Sequence, residues 1–182
     1  RYPGRREWAL RGISLEFRSG EVAVITGPNG SGKTTLLKLS SLLYEPTLGE
    51  VMVDGENFWA SGGESQLKLR RRVIYVHERP ILLRGSVMYN IMYGLLVRGV
   101  GEEDARRRAS SILEEAGMES LTETSSRRLS SGQAQLVALL RAFVLEPELV
   151  LLDEPLAHLD REKRERVIKV MEGMRKEGVG FV

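Results

Sequence analysis

Short apolar runs alternate along this chain with stretches where apolar residues recur every three or four positions. Val22-Ala23-Val24-Ile25, Val73-Ile74-Tyr75-Val76 and Leu149-Val150-Leu151-Leu152 are nearly continuous, the pattern of strands covered on both faces. Leu10 to Phe17 and Glu50 to Val53 also read as strands, the second running into the hairpin signal Asp54-Gly55. A helix is expected from Lys33 to about Leu43, stopping before Pro46. Ala105, Ala109, Ile112, Leu113 and Ala116 share one helical face that Gly117 can end. Leu136, Val137, Leu140, Phe143 and Val144 share another, between Gly132 and Pro147. Val179 to Val182 reads as a last strand. Strands alternating with helices predict an α/β fold with a mainly parallel sheet. Between Pro80 and Ser131 the helical character predicts an insertion in that core.

Composition narrows the class. A chain of 182 residues is long enough for one sizeable α/β core with an inserted subdomain. The absence of cysteine excludes disulfides and thiolate metal sites. No apolar stretch approaches the roughly 18 residues that cross a bilayer, and the charged opening from Arg1 to Glu7 does not read as a signal peptide. A soluble intracellular protein is expected. The formal charge is +2, from 27 basic and 25 acidic residues. The arginine clusters Arg70-Arg71-Arg72 and Arg106-Arg107-Arg108 fall before a strand and on a helix surface. They read as solvated faces, whereas a nucleic-acid binder concentrates such charge on one face or tail.

The chemistry begins after Ile25. Gly27-Pro28-Asn29-Gly30-Ser31-Gly32-Lys33-Thr34 is a complete G-x-x-x-x-G-K-[ST] loop between an apolar run and Leu36-Leu37. Its glycines let backbone N–H groups converge on phosphate oxygens at the positive end of a helix. Lys33 then reaches the β- and γ-phosphates of a nucleotide, and Thr34 offers its hydroxyl to Mg²⁺. Leu149 to Leu152 delivers Asp153 and Glu154 at a strand's C-terminal end, the edge where open α/β sheets bind ligands. Successive strand residues point in opposite directions, which lets the two acids differ in role. Asp153 suits the metal side; Glu154 suits orienting or deprotonating an attacking water.

Leu129-Ser130-Ser131-Gly132-Gln133 stands ahead of a helix and about twenty residues before Asp153. It resembles the Leu-Ser-Gly-Gly-Gln signature of ABC-type ATPase domains, and the order of motifs matches that family across essentially the whole chain. The resemblance implies a P-loop core with an antiparallel β subdomain in residues 1–79, an inserted helical subdomain in 80–131, and the rest of the core in 132–182. It implies ATP and Mg²⁺ as cofactors. Gly27 to Thr35 then holds phosphates, Tyr2 stacks on adenine, and Thr34, Glu78 and Asp153 face the metal. Lys33 and Glu154 carry catalysis, and Pro155 to Asp160 resembles the loop ending in Leu-Asp. Ser130, Ser131, Gly132 and Gln133 complete the ATP site of a second subunit, since a helix start with serine and glycine presents donors to a γ-phosphate. Two domains thus pack head to tail, and hydrolysis becomes relative motion.

The same resemblance implies a cytoplasmic motor subunit, peripheral on the inner face of the membrane, with transmembrane permease subunits and an extracytoplasmic substrate-binding protein as partners. Residues 80–87 with Asn90-Ile91 and Tyr93-Gly94-Leu95 resemble the surface that receives a permease helix. Leu95 to Val100 resembles subunits serving uptake of oxyanions such as tungstate or molybdate. A regulatory nucleotide-binding subunit and a soluble non-transport ATPase are the alternatives. The second needs a duplicated domain or a long coiled coil, and Thr35 to Leu129 has no sustained heptads.

Three departures bear on turnover. Glu78 stands where the family has glutamine, and Ser131 replaces the first signature glycine, restricting the backbone there. The chain ends at Val182, before the place of the family's switch histidine, which implies slow hydrolysis by this span and a final strand that frays. His77 and His158 read as surface residues, and Trp8 and Trp59 as packing residues.

Overall fold

The computed structural model describes residues 7–182, so Tyr2 lies outside the described residues. The chain divides into two compact units. The first takes in the described residues through Tyr75, together with Pro147–Asp153 and Gly178–Val182. The second takes in Val76–Glu146 and Glu154–Glu177.

In the first unit, α1 spans Lys33–Ser40 and is followed by an antiparallel pair, β1 (Met52–Val53) and β2 (Glu56–Asn57). Asp54 and Gly55 have φ of 49° and 81°, the two positive values that a tight hairpin turn of this sequence requires. After α2 (Gly63–Arg72) comes β3 (Val73–Val76), which joins β4 (Leu149–Leu152) and β5 (Gly180–Phe181) in the order β3-β4-β5. β4 and β5 are parallel, with Leu149 opposite Gly180 and Val150 opposite Phe181. Helix α1 ends earlier than its apolar run suggests. Leu42 turns the chain with φ 63° and is fully buried against Phe58 and Leu69, so core burial outweighs the cost of a left-handed leucine.

Four expectations need correction here. Leu10 to Phe17 forms no ladder, and Val22 to Ile25 makes only one parallel bridge, from Val22 to Phe181. Ile13, Leu15 and Val24 are 52%, 46% and 79% exposed. Leu10 to Phe17 finds no ladder partner among the described residues, and a strand without partners does not persist. The last strand, by contrast, is not frayed. Phe181 N–H donates to Glu21 O at 2.8 Å, Ala23 N–H donates to Phe181 O at 2.8 Å, and the Phe181 side chain is buried. Nor is Arg72 merely solvated. Its guanidinium grips Glu148 through two bonds of 2.6 Å and reaches Asp54 at 2.5 Å, tying the hairpin turn to the approach to β4. The hydrogen bonds it donates to Glu148 and Asp54 raise its pKa above the usual arginine value. Trp59 packs edge-on against Phe58 at 4.9 Å, as a packing residue should.

The second unit holds α3 (Val87–Val97), α4 (Glu102–Glu115), α5 (Ser131–Phe143) and α6 (Arg161–Lys176). α3 packs on α4 and α5, and α6 packs on α5. Of the helical faces read from sequence, Ala105, Ala109, Leu113 and Ala116 are buried on one side, with Ile112 half-buried, and Leu136, Val137, Leu140, Phe143 and Val144 are buried on the other. Gly117, at φ 63°, ends α4, and Arg166 of α6 caps it by donating to the carbonyls of Ala116 and Gly117 at 3.3 and 3.1 Å. The segment before α3 is pinned. Buried Asn90 donates to Leu83 O and Ser86 O and accepts from Leu83 N–H at 2.8 Å. Asn90, Ile91, Val87 and Leu95 therefore belong to the core, and the outer face of α3 is carried by Tyr89, Tyr93, Leu96 and Val97.

Candidate nucleotide site

Within the first unit the glycines of residues 27–32 set the loop. Gly27, Gly30 and Gly32 take φ of 155°, 80° and 94°. Gly32 is also required by close approach, since a Cβ there meets Leu10 Cδ2 at 2.7 Å and the Ala9 carbonyl at 2.8 Å. The turn hands directly into α1, whose first residue is Lys33. The Lys33 ammonium folds over the loop and donates to the carbonyls of Gly27 and Pro28 at 2.8 and 3.1 Å. Pro28, Asn29, Gly30 and Ser31 are exposed, and Thr34 and Thr35 are half-buried in the first turn of α1. A helix start with a lysine folded over the loop before it is an arrangement that suits a phosphate.

α1 lies against β4 in the same unit, and β4 ends at Asp153. Its carboxylate is buried, and Tyr75 Oη donates to its Oδ2 at 2.9 Å. Sequence reasoning passed over Tyr75, because nothing local marks a phenol 78 positions away as the partner of Asp153. Its place next to the last residue of β3, the strand beside β4, is the signal that points to it. Thr34 and Asp153 offer a hydroxyl and a carboxylate oxygen. Among the described residues no group of three or more histidine, cysteine or carboxylate side chains makes a metal cage. That donor set fits Mg²⁺, which keeps waters and substrate phosphates and takes one or two protein oxygens.

The second unit holds Glu78, Ser130 to Gln133, Glu154 and Asp160. Ser130 caps α5 in a reciprocal box: its Oγ accepts from Gln133 N–H at 3.3 Å, and Gln133 Oε1 accepts from Ser130 N–H at 2.9 Å. Ser131 opens the helix, is exposed, and has no positive φ, so the missing glycine costs no backbone strain. Gly132 is the position that needs to be glycine, for a Cβ there stands 2.9 Å from the carbonyl oxygen of His158. The signature helix thus seats against the loop that follows Glu154.

Glu154 is exposed and has φ 48°. A turn in the left-handed region, rather than simple strand alternation, separates its environment from that of Asp153. Asp160 caps α6, accepting from Lys163 N–H at 2.9 Å and pairing with the Lys163 ammonium. The Lys163 side-chain hydrogen bond, with the backbone bond behind it, lowers its pKa below the ordinary aspartate value. Glu78 is paired with Arg79 at 3.6 Å, and His77 Nδ1 accepts from Arg79 N–H at 3.1 Å. No helix of the described residues is long and apolar enough to cross a membrane.

Known proteins resemble this chain. Residues 10–157 match the family described as ABC transporter. The molybdate/tungstate import ATP-binding protein WtpC of Pyrococcus horikoshii is 35% identical over 173 residues, 94% of this chain and 49% of that protein. The lipoprotein-releasing system ATP-binding protein LolD of Chromohalobacter salexigens is 37% identical over 91% of this chain and 70% of its own length. The chain spans about half the length of the molybdate/tungstate relative. Among solved structures, the dimeric post-hydrolysis state of the ATP-binding cassette MJ0796 bound to ADP and Pi superposes with a TM-score of 0.87 at 30% identity, covering 100% of this chain and 82% of that one. A phosphate loop opening α1, an aspartate buried at the end of β4, and a capped signature helix meet in one sequence relationship spanning most of the residues: this chain belongs to the ABC transporter family.

Proposed function

We propose that this chain binds and hydrolyses ATP as the motor part of an ABC transporter, paired head to tail with a second such domain. The observation that carries the reading is the Lys33 ammonium held over the Gly27 and Pro28 carbonyls at the start of α1, in the unit that also buries Asp153. Backbone amides of residues 27–34 and Lys33 bind the phosphates, and Thr34 and Asp153 are the oxygen donors for Mg²⁺. When bound, Mg²⁺ supplies neutralisation of charge on the β- and γ-oxygens. Glu154, the exposed carboxylate next in sequence, takes the proton of the attacking water. Ser130, Ser131 and Gly132 offer donors at the start of α5 to the γ-phosphate held by the partner domain. In the second unit, Glu78 is the candidate to face the metal, and Gln133 and Asp160 are further candidate nucleotide-binding groups.

A motor of this kind works with transmembrane permease subunits on the cytoplasmic side of a membrane. The name of the Pyrococcus relative supports import, with an extracytoplasmic binding protein delivering an oxyanion such as molybdate or tungstate; the name of the Chromohalobacter relative is the counterweight. Tyr89, Tyr93, Leu96 and Val97, exposed along α3, are the apolar groups such a permease would meet. Measuring ATP turnover with and without a cognate permease tests the reading. A permease-stimulated rate that Lys33→Ala abolishes is expected, and an absence of ATP binding overturns it.

A further inference from the structure

Glu154 is placed against two backbone preferences at once. Its φ of 48° lies in the left-handed region, which a non-glycine residue enters only when its surroundings over-determine it. It also precedes Pro155, and a residue before proline is steered toward extended conformations. Something must hold the turn. Ala157 N–H closes it onto Glu154 O at 3.3 Å. The other anchor comes from α5: Gln135 is fully buried, and its Nε2 donates to Pro155 O at 3.3 Å. The acceptor is a carbonyl, so the amide nitrogen must be the end that faces it.

Gln135 is a poor choice for stability. Its Oε1 is buried and meets no hydrogen-bond donor among the described residues, and an orphaned buried acceptor weakens a fold where an apolar side chain of similar shape would not. Its neighbours Leu136, Leu139 and Val137 are ordinary core residues. A polar side chain in that setting has one visible task, holding the Pro155 carbonyl. Gly132, one turn earlier on α5, meets the same loop at the His158 carbonyl. The signature helix therefore grips both ends of the segment following Glu154.

We propose that Gln135 is a positioning residue: through the Pro155 carbonyl it fixes the turn that aims the Glu154 carboxylate, so that a shift of the signature helix redirects that carboxylate. The inference rests on the role proposed for Glu154. It does not require Gln135 to touch nucleotide.

Gln135→Met in the full chain removes the donor and keeps the bulk. ATP affinity and KM should be unchanged, and Tm equal or higher because the orphaned oxygen is gone. Turnover at saturating ATP should fall at least roughly tenfold, since small misplacements of a reacting group are costly. In a Glu154→Gln background the same substitution should change the residual rate less than about twofold, because the group being aimed is already gone. Unchanged turnover in Gln135→Met overturns the proposal. So does a variant that loses Tm and affinity together or does not fold, which marks Gln135 as structural, and so does an undiminished effect in the double variant. If the unmodified chain binds and hydrolyses no ATP, the proposed function falls and this inference with it; if it is active while Gln135→Met matches it, the inference alone falls.

Discussion

The Tyr75 hydroxyl meets a carboxylate 78 positions further along the chain, and that one bond shows what motif reading leaves out. Asp153 is buried, and a buried polar group needs hydrogen-bond partners. Tyr75 supplies one at Oδ2, which leaves Oδ1 as the oxygen for the proposed metal. Tyr75→Phe should weaken binding of Mn²⁺·ADP, read by electron paramagnetic resonance, roughly tenfold, the scale of about 1.5 kcal/mol for a hydrogen bond to a charged group. Metal-free ADP binding should be unaltered. Equal Mn²⁺ affinities would remove Tyr75 from the metal side of the site. Glu78 differs, being half-exposed and already paired with Arg79. Replacing Glu78 by glutamine should shift the Mg²⁺ dependence of turnover while leaving nucleotide affinity in place, and superimposable Mg²⁺ titrations would exclude it from the metal's surroundings.

At the scale of elements, the two signature positions exchange importance. Ser131 occupies an unstrained, exposed first turn, whereas Gly132 is clamped against a backbone carbonyl that has no rotamer to give. Gly132→Ala should destabilise the second unit by about 1–3 kcal/mol, as overpacking does; chemical denaturation with an unchanged midpoint would contradict the 2.9 Å approach. Helix α6 carries a pH dependence. Asp160 is held below its ordinary pKa by the Lys163 side chain and then by the Lys163 N–H. A lowered folded value means the cap's contribution is complete above the unfolded pKa of roughly 3.9 and is lost as pH falls through the folded one. The pair is exposed, so salt should shrink the effect. Hydrogen exchange at Lys163 and Arg164 should speed up below about pH 4, and Asp160→Asn, which keeps a capping oxygen but cannot titrate, should flatten that response.

For the whole molecule, the decisive test is assembly. Glu154→Gln keeps shape and removes the base, a loss commonly worth on the order of 10²–10⁴ in rate, so Mg-ATP should drive the variant toward twice the monomer mass in size-exclusion chromatography. Turnover at the unmodified rate would refute the role of Glu154. Much of this design was legible in the residue order. The phosphate loop, the strand ending in Asp153, the signature before α5 and the buried faces of α4 and α5 are local patterns, set by spacing and by the period of a helix or strand. Where pattern failed, the deciding partner was remote. Leu10 to Phe17 has strand chemistry but no ladder, because a strand is made by its neighbours. The final strand was legible as a strand, but not that it would be buried between β4 and Glu21 to Ala23 instead of frayed. Arg72, Tyr75, Asn90 and Gln135 look ordinary in sequence and acquire their roles only from Glu148, Asp153, Leu83 and Pro155. The sequence by itself determined the family, since the phosphate loop, the Asp153-Glu154 pair and the signature are each local runs of particular residue types. Only the tertiary structure decided how those groups are aimed, because a hydrogen bond between distant positions exists only once the packing has brought donor and acceptor within about 3 Å.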